Sequence, residues 1–216
     1  MKRVVFISIL LVSAITASAQ LSQHGILLNG GIGSVHGGYG RYADPRSFYG
    51  EHEDYIVDAD FEYKSGVSAG YRLRFKMPAP KSFHYDLDLN IGAKFLNYKH
   101  DYYKVVTAGD YFTEEFAYSL SSVNPFYFTS LGGTVNYSFV KNFSAGLGIE
   151  PSFYLNRASK NKYDVPIVAK VAYQFRFVEV GITGKFGLTN VLESSYMTRG
   201  KYREIQMSLF IPLKTK

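Results

Sequence analysis

The chain has 216 residues, with 19 tyrosines, 17 phenylalanines and no cysteine, and a formal net charge of +6 at pH 7. This length fits one domain, and the lack of cysteine excludes both a disulfide framework and a cysteine-based metal site. The charges are scattered along the sequence rather than gathered in a basic patch, so we expect no nucleic-acid partner.

The first 19 residues have the pattern of a cleavable secretory signal peptide. Lys2 and Arg3 form a positive region, residues 4–12 are almost wholly apolar, and Ala-Ser-Ala at 17–19 is a small-residue cleavage site. No cysteine follows that site, which excludes a lipoprotein, and no later segment has the ~20 consecutive apolar residues of a transmembrane helix. We therefore predict an exported domain over 20–216.

Eight segments of this domain alternate apolar and polar side chains, as a β-strand with two different faces does. The hairpin 66–95 shows the pattern most clearly, because each of its two strands alternates for longer than the ~5–6 residues usual in soluble sheets. A strand that crosses a bilayer needs roughly 9–11 tilted residues, and these strands are long enough. The eight predicted strands are 24–35, 66–76, 83–95, 129–139, 143–150, 165–176, 178–188 and 202–213.

The predicted connections alternate between long and short. Bacterial outer-membrane barrels have an even number of strands, short periplasmic turns and longer outer loops. We therefore predict an all-β fold, an eight-stranded antiparallel up-and-down transmembrane β-barrel, located in the outer membrane as a monomer with both termini in the periplasm. The long connections are 36–60, 96–128, 156–164 and 189–201, and the short ones are 77–82, 140–142 and 176–178.

Aromatic side chains flank the short turns, which is typical of the interfacial girdle of a membrane barrel. They are Phe75, Phe83, Tyr85, Phe139, Phe143, Phe175 and Phe177. The alternative is a soluble lipocalin-like or sandwich protein, in which the apolar face would lie inside and the charged face would meet water. Strand length and the alternating connection lengths favour the membrane barrel.

Charged residues lie on the polar face of the strands, which the barrel prediction places inside. The interior of an eight-stranded barrel is just wide enough for side chains to fill, so we expect these charges to pair rather than to line a wide channel. The predicted interior network consists of Arg72, Arg74, Asp86, Asp88, Lys94, Glu150, Lys170, Arg176, Glu179, Lys185 and Glu204.

Hairpin geometry predicts the first pairs of this network. A turn centred on Pro80 places Arg74 opposite Asp86 and Arg72 opposite Asp88. Such pairs would make the interior an ion-paired plug. The functional alternative is a selective or gated pore.

The third short turn predicts further neighbours. It brings Arg176 beside Glu179 and places Lys170 opposite Lys185. Two like charges directly opposite are unfavourable, so we expect Glu150 on the adjoining strand to relieve this contact.

No catalytic, cofactor or metal-binding residue is assigned from the sequence, and we expect no cofactor. His84 and Asp86 share one face, and a His–Asp pair is able to orient a base, but no nucleophile is linked to them in the sequence. His52 lies in the acidic run 51–54, whose carboxylates could bind a divalent cation, although the spacing matches no calcium loop.

The predicted outer loops are acidic and rich in tyrosine. Segment 36–60 has a net charge of −4, and segment 98–123 has a net charge of −2. Tyrosine offers a large, rigid contact surface with a polar tip, so these loops could bind a protein, a glycan or a cation associated with lipopolysaccharide. The alternative is that they extend the strands above the membrane and cover the barrel mouth.

The alternating strands, the glycine-rich first strand and short turns such as Val140-Lys141-Asn142-Phe143-Ser144-Ala145-Gly146-Leu147-Gly148 resemble the small outer-membrane β-barrel domains of Bacteroidetes, the PorT-like group. More distantly, the pattern is similar to the transmembrane domain of outer-membrane protein A. The resemblance implies an outer-membrane location, contact with membrane lipid and, for some members, a part in assembling secretion machinery. It brings no catalytic motif.

Three functions follow from these patterns. We expect a non-enzymatic small barrel with a structural or interaction role at the cell surface. The second hypothesis is a narrow channel for small solutes or apolar compounds, and the third is a lipid-modifying surface enzyme. Conductance in planar bilayers tests the second, and a serine beside His84 or His52 in a membrane-level cleft would favour the third.

Overall fold

The computed structural model describes residues 20–37, 40–48, 51–77, 80, 82–108, 111–155, 162–194 and 197–213. The predicted signal peptide, 1–19, lies outside the described residues, so its removal stays a prediction. Among the described residues there is no helix with the length and hydropathy that crossing a membrane requires.

Twelve strands make up the regular structure of the described residues, and they pair in antiparallel fashion in one all-β sheet. They are β1 (Gln20–His36), β2 (Gly40–Phe48), β3 (Glu51–Lys76), β4 (Phe83–Ala108), β5 (Tyr111–Val140), β6 (Phe143–Ile149), β7 (Ser152–Tyr154), β8 (Tyr163–Asp164), β9 (Ile167–Gln174), β10 (Glu179–Phe186), β11 (Leu192–Ser194) and β12 (Met197–Leu213).

Eight of these strands close into a ring. β3 and β12 flank β1, and the pairing continues from β3 through β4, β5, β6, β9 and β10 back to β12. Closure of a sheet on itself removes its open edges. The prediction of an all-β, antiparallel structure is confirmed, with eight strands in the ring. The other four, β2, β7, β8 and β11, pair alongside it.

Side chains alternate along the ring strands, with polar groups inside and apolar groups outside. Arg72, Asp86 and Lys170 are buried in the interior, whereas Ile91 and Ile205 are 66% and 63% exposed on the outer surface. An antiparallel sheet in a soluble protein packs its apolar face on the core and turns its polar face to water. The lipocalin-like or sandwich alternative is therefore contradicted.

Short turns join the ring strands at one end, which we call the turn end. Asn142, in the left-handed region at a φ of 71°, lies in the turn between β5 and β6. In the turn between β9 and β10, the amide of Phe175 donates to the carbonyl of Val178 at 2.7 Å. This turn pairs Gln174 with Glu179 in the two strands.

That pairing corrects one prediction. Lys170 lies opposite Thr183, and Lys185 lies opposite Val168, so the predicted contact between the two lysines does not exist. Alternation along each strand shows which face a residue is on, but it does not show how many residues the turn uses. The turn observed here shifts the pairing by two residues, and the paired residues of the two strands keep their predicted faces.

At the opposite end, which we call the outer end, three strands continue far beyond the predicted bounds. β3 and β4 have 26 residues each, and β5 has 30. With β2 they form what we call the upper sheet: β2, 51–64 of β3, 96–108 of β4 and 111–125 of β5. The predicted outer loops 36–60 and 96–128 are therefore largely paired strands, as in the alternative in which the loops extend the strands.

A β-bulge in β3 explains why the alternation of apolar and polar residues in the predicted strand 66–76 does not continue towards the outer end. The pairing of β3 with β4 shifts between Tyr63 and Ser65, so the inward face of β3 changes from even to odd positions. Above the bulge Val57 and Tyr63 are buried, whereas Glu62 and Lys64 are exposed. An inserted residue exchanges the two faces of a strand, so a search for one uninterrupted alternation stops at this point.

Candidate functional site

Two arginine–aspartate pairs lie in the interior of the ring near the turn end. Arg72 donates from Nε and Nη2 to the two carboxylate oxygens of Asp88 at 2.6 and 2.7 Å. Arg74 donates in the same way to Asp86 at 2.7 and 2.9 Å. The residues of each pair lie directly opposite in the β3–β4 ladder, and two parallel hydrogen bonds hold each guanidinium in one orientation.

Glu179 of β10 joins these pairs from across the interior. Its carboxylate accepts a hydrogen bond from Arg72 at 3.0 Å and from Lys170 at 2.8 Å, and it lies 2.7 Å from Nη1 of Arg74. Lys170 also donates to Asp86 at 3.3 Å. Three positive and three negative groups are thus in contact. We call them the lower charge cluster: Arg72, Arg74, Asp86, Asp88, Lys170 and Glu179.

Two further ion pairs lie inside the ring. Nζ of Lys185 is 2.7 Å from a carboxylate oxygen of Glu150, which also accepts a hydrogen bond from Ser130 at 2.8 Å. Lys94 of β4 forms an ion pair with Glu204 of β12. Each of the ten charged side chains in these contacts is therefore matched by an opposite charge, as burial away from water requires.

Lys94 lies among aromatic rings. Its Nζ is 4.4 Å from the ring centre of Tyr202, 5.3 Å from that of Phe128 and 5.4 Å from that of Tyr154. A cation within ~6 Å of an aromatic ring face is attracted to it. The rings and Glu204 together hold the ammonium group in place.

The structure places ten of the eleven residues of the predicted network inside the ring, five of them positive and five negative. Arg176 is the exception. It is exposed in the turn between β9 and β10, and its guanidinium carbon is 5.0 Å from the ring centre of Phe177. The predicted pairing of Arg176 with Glu179 is wrong, because the turn carries Arg176 out of the ring while Glu179 begins the next strand.

The interior contains little free space. A cavity of about 20 Å³ lies among the polar side chains, which is room for about one water molecule. Towards the outer end, a layer of apolar side chains fills the interior of the ring. It consists of Tyr63, Leu96, Phe126, Phe128, Tyr154, Val191 and Tyr202. Over the described residues, side chains fill the interior.

The sequence offers His84 as a candidate base and His52 as part of a candidate cation site. His84 lies opposite Asn136 at the turn end, and its buried Nε2 has no hydrogen-bond partner among the described residues. The side chains of the run 51–54, with His52, lie outside the described part. Where side chains are described, no three His, Asp or Glu residues are grouped to hold a metal ion.

The upper sheet contains a tyrosine cluster that the alternation of the sequence does not predict. Tyr102 stacks on Tyr118 with ring centres 4.6 Å apart and planes inclined by 17°. Tyr55 meets both rings edge-on, at 6.2 and 6.1 Å, and Val57 is buried in the same cluster. The abundance of tyrosine in the predicted loops indicates that aromatic contacts form there. Which rings meet depends on the pairing of β3, β4 and β5.

Ion pairs strengthen the upper sheet. Arg41 of β2 lies 3.5 Å from Asp58 of β3 and also forms an ion pair with Glu114 of β5. Because β2 and β5 are the outermost strands of this sheet, the second contact requires the sheet to curve. Lys99 donates to Asp101 at 2.7 Å, and this hydrogen bond lowers the pKa of the Asp101 carboxyl.

Strand β5 presents apolar side chains and an open edge at the outer end. Phe112 is 75% exposed and Phe116 is 61% exposed, and Leu120 and Val123 are exposed as well. Within the described residues, 111–125 of β5 pair with β4 alone. An open strand edge with exposed apolar side chains is a template for pairing with another chain.

Comparison with known proteins adds a distant structural likeness. No protein-family model and no curated protein sequence matches the chain. Among solved structures, the chain is similar to that of the outer membrane protease OmpT from Escherichia coli, with a TM-score of 0.44 and 9% sequence identity over 91% of this chain and 98% of that chain. The resemblances to the PorT-like group and to outer-membrane protein A are not confirmed.

The prediction that the chain is not an enzyme is contradicted by this comparison, because the matched structure is that of a protease. At 9% identity the likeness concerns the fold alone, and it assigns no catalytic residue to this chain.

Proposed function

We propose that the chain is a β-barrel of the outer membrane, exported by residues 1–19, with a closed structural interior and an upper sheet that binds a protein at the cell surface. The main support for this proposal is that polar side chains are buried inside the ring and apolar side chains are exposed on its outer surface. Soluble monomers rarely expose large contiguous apolar patches, whereas a membrane barrel needs an apolar belt. Exposed apolar side chains surround the ring: Leu28, Ile32, Val67, Leu89, Ile91, Leu131, Leu147, Val171, Ile182, Ile205 and Met207.

Both ends of the ring support this position in a bilayer. At the turn end, Phe83 packs on Tyr137 with ring centres 4.9 Å apart, and Phe143 packs on Tyr173 at 4.6 Å. Such aromatic groups are enriched where a membrane meets water. At the outer end, the outward face of β3 becomes charged above the bulge, beginning with the exposed Glu62.

The lengths of the connections support one orientation in the membrane. Bacterial barrels place short turns in the periplasm and longer extensions outside the cell, so the upper sheet would project from the cell surface. The open edge of β5, with Phe112 and Phe116 exposed beside it, favours a protein partner, because a second chain is able to add a strand there.

Membrane insertion is tested with the purified full chain. We expect that it leaves the membrane only with detergent, and that it migrates faster on a gel when unboiled, because a closed ring stays compact in detergent. Identical migration of boiled and unboiled samples, with recovery in the soluble fraction, would contradict the proposal.

The orientation is tested by labelling single cysteines, for which the cysteine-free chain provides a clean background. Lys64→Cys at the outer end and Lys141→Cys in the turn between β5 and β6 both replace exposed residues. A membrane-impermeant maleimide should label the first variant in intact cells and the second only after the outer membrane is permeabilised. The reverse order would mean that the upper sheet lies in the periplasm.

The binding role is tested by comparing the double variant Phe112→Ser/Phe116→Ser with Glu115→Ser, a polar exposed residue on the same strand. After cross-linking on intact cells, the wild-type chain and Glu115→Ser should recover the same surface protein, and the double variant should recover much less of it. Equal recovery with all three chains would remove the upper sheet as the binding surface.

A further inference from the structure

A basic depression lies on the outer wall of the ring, where β1, β10 and β12 approach the outer end. Lys201 and Arg203 of β12 alternate with Tyr202 and Glu204, which are buried inside. The two cationic side chains therefore point away from the interior. In the ladder between β1 and β12, Lys201 lies opposite His36, so the imidazole adds a hydrogen-bonding group beside the two cations.

The depression has a volume of about 800 Å³, within the size range of sites for small organic groups. Backbone hydrogen bonds hold one side of it in place: the amide of Gly187 donates to Tyr202 at 2.8 Å, and that of Val191 donates to Gly200 at 3.1 Å. The side chains that line the depression are His36, Phe186, Leu188, Asn190, Lys201 and Arg203, with no carboxylate among them.

The two cations differ from others at the same end of the molecule in lacking an anionic partner. Lys64 is 2.7 Å from a carboxylate oxygen of Glu62, and Lys99 is 2.7 Å from one of Asp101. In the part of the chain that the structure describes, no carboxylate pairs with Lys201 or Arg203. Two cations on one face of a strand, about 7 Å apart, leave a positive potential that an anion would balance.

An apolar surface begins directly beside these cations. Ile205 and Met207 follow Arg203 on the outward face of β12 and are exposed, as are Ile32 of β1 and Ile182 of β10. These residues belong to the belt that the proposed function places in the bilayer. A cationic pair at the border of such a belt matches a ligand with a phosphate head group and acyl chains, because cations near a membrane surface attract anionic lipid.

We propose that Lys201 and Arg203, with His36, bind the phosphate group of an outer-leaflet lipid whose acyl chains pack on the apolar belt beside them. This inference rests on the proposed membrane location. The depression receives the head group, Phe186 and Leu188 line the transition to the acyl chains, and the two cations balance the phosphate charge.

The test measures binding of lipid A, of fully dephosphorylated lipid A and of inorganic phosphate to the full chain in nanodiscs of zwitterionic lipid. The double variant Lys201→Gln/Arg203→Gln should raise the Kd for lipid A about 25-fold, since each cation near a membrane surface contributes about fivefold. The control Lys64→Gln/Lys99→Gln removes the same charge at the same end and should change the Kd less than about threefold, because Glu62 and Asp101 already balance those two charges.

Three outcomes would overturn the inference: equal losses in the two double variants, equal affinity for lipid A and its dephosphorylated form, or binding of inorganic phosphate as tight as that of the lipid. If the double variant does not fold, the single variants Lys201→Gln and Arg203→Gln replace it, each with an expected loss of about fivefold. Every variant is first run unboiled on a gel. If the unboiled wild-type chain gives no faster band, the barrel itself is contradicted. If the faster band is present and the double variant binds lipid A as tightly as the wild-type chain, only the lipid site is contradicted.

Discussion

Arg74 and Glu179 meet across the interior of the ring, with Nη1 of the arginine 2.7 Å from Oε2 of the glutamate. Their strands, β3 and β10, are separated around the ring by β1 and β12. The ring is therefore narrow enough for side chains of non-neighbouring strands to touch. As a result, the lower charge cluster connects opposite walls of the fold as well as adjacent strands.

Replacing Glu179 with glutamine should lower the free energy of unfolding by about 3–5 kcal/mol, because removing one partner leaves buried cations without compensation. The quantity is measured by urea titration in detergent, with the unboiled gel band as the readout of folded protein. Arg176→Gln is the matched control and should change the free energy by less than about 0.5 kcal/mol, since its side chain is exposed. Equal effects would contradict the placement of Glu179 in the interior and Arg176 outside it.

The pair Lys94–Glu204 should show strong coupling between its two members. Lys94→Met should cost about 3–5 kcal/mol, because Glu204 would stay buried without its cation. Adding Glu204→Gln to that variant should recover much of the loss, since an uncharged amide is cheaper to bury and still accepts from Gln206, which donates to Glu204 at 2.7 Å. Additive losses in the same unfolding assay would show that the two side chains are independent.

The full chain in a planar bilayer should show no steady ion conductance. The reason is that the interior cavity of about 20 Å³ is room for about one water molecule. A known porin in the same bilayer verifies the recording. Reproducible, ion-selective conductance that changes in Arg72→Ala or Arg74→Ala would contradict the filled interior and would support the narrow-channel hypothesis.

Deleting Lys64 should disrupt the upper sheet while leaving the ring intact. Lys64 is the extra residue of the bulge between Tyr63 and Ser65, and its removal would exchange the two faces of β3 above that point. We expect rapid cleavage of the upper sheet in limited proteolysis, with the unboiled band of the ring retained. Lys64→Ala keeps the residue count and should stay resistant. Equal resistance of both variants would mean that the bulge does not set the orientation of the upper strands.

The sequence by itself determined which side chains share a face. Alternation is a local property with a period of two residues, so the opposite character of the two faces along 66–76 and 83–95 is visible without any tertiary information. Arg72 opposite Asp88 follows once the β3–β4 turn is centred on Pro80, although the β9–β10 turn shows that alternation alone does not fix the register. The all-β, antiparallel character of the chain follows from the same pattern repeated along the sequence.

Only the tertiary structure decided which distant side chains meet. Closure of the ring brings Glu179 to Arg74 and Glu204 to Lys94, contacts between residues that no hairpin connects. The bulge beside Lys64 ends the alternation that the sequence displays, and it thereby hides the continuation of β3 into the upper sheet. The sequence does not single out Lys201 and Arg203 as a binding site either. The proposed lipid site depends on the apolar wall and on the depression that the neighbouring strands form around these two residues.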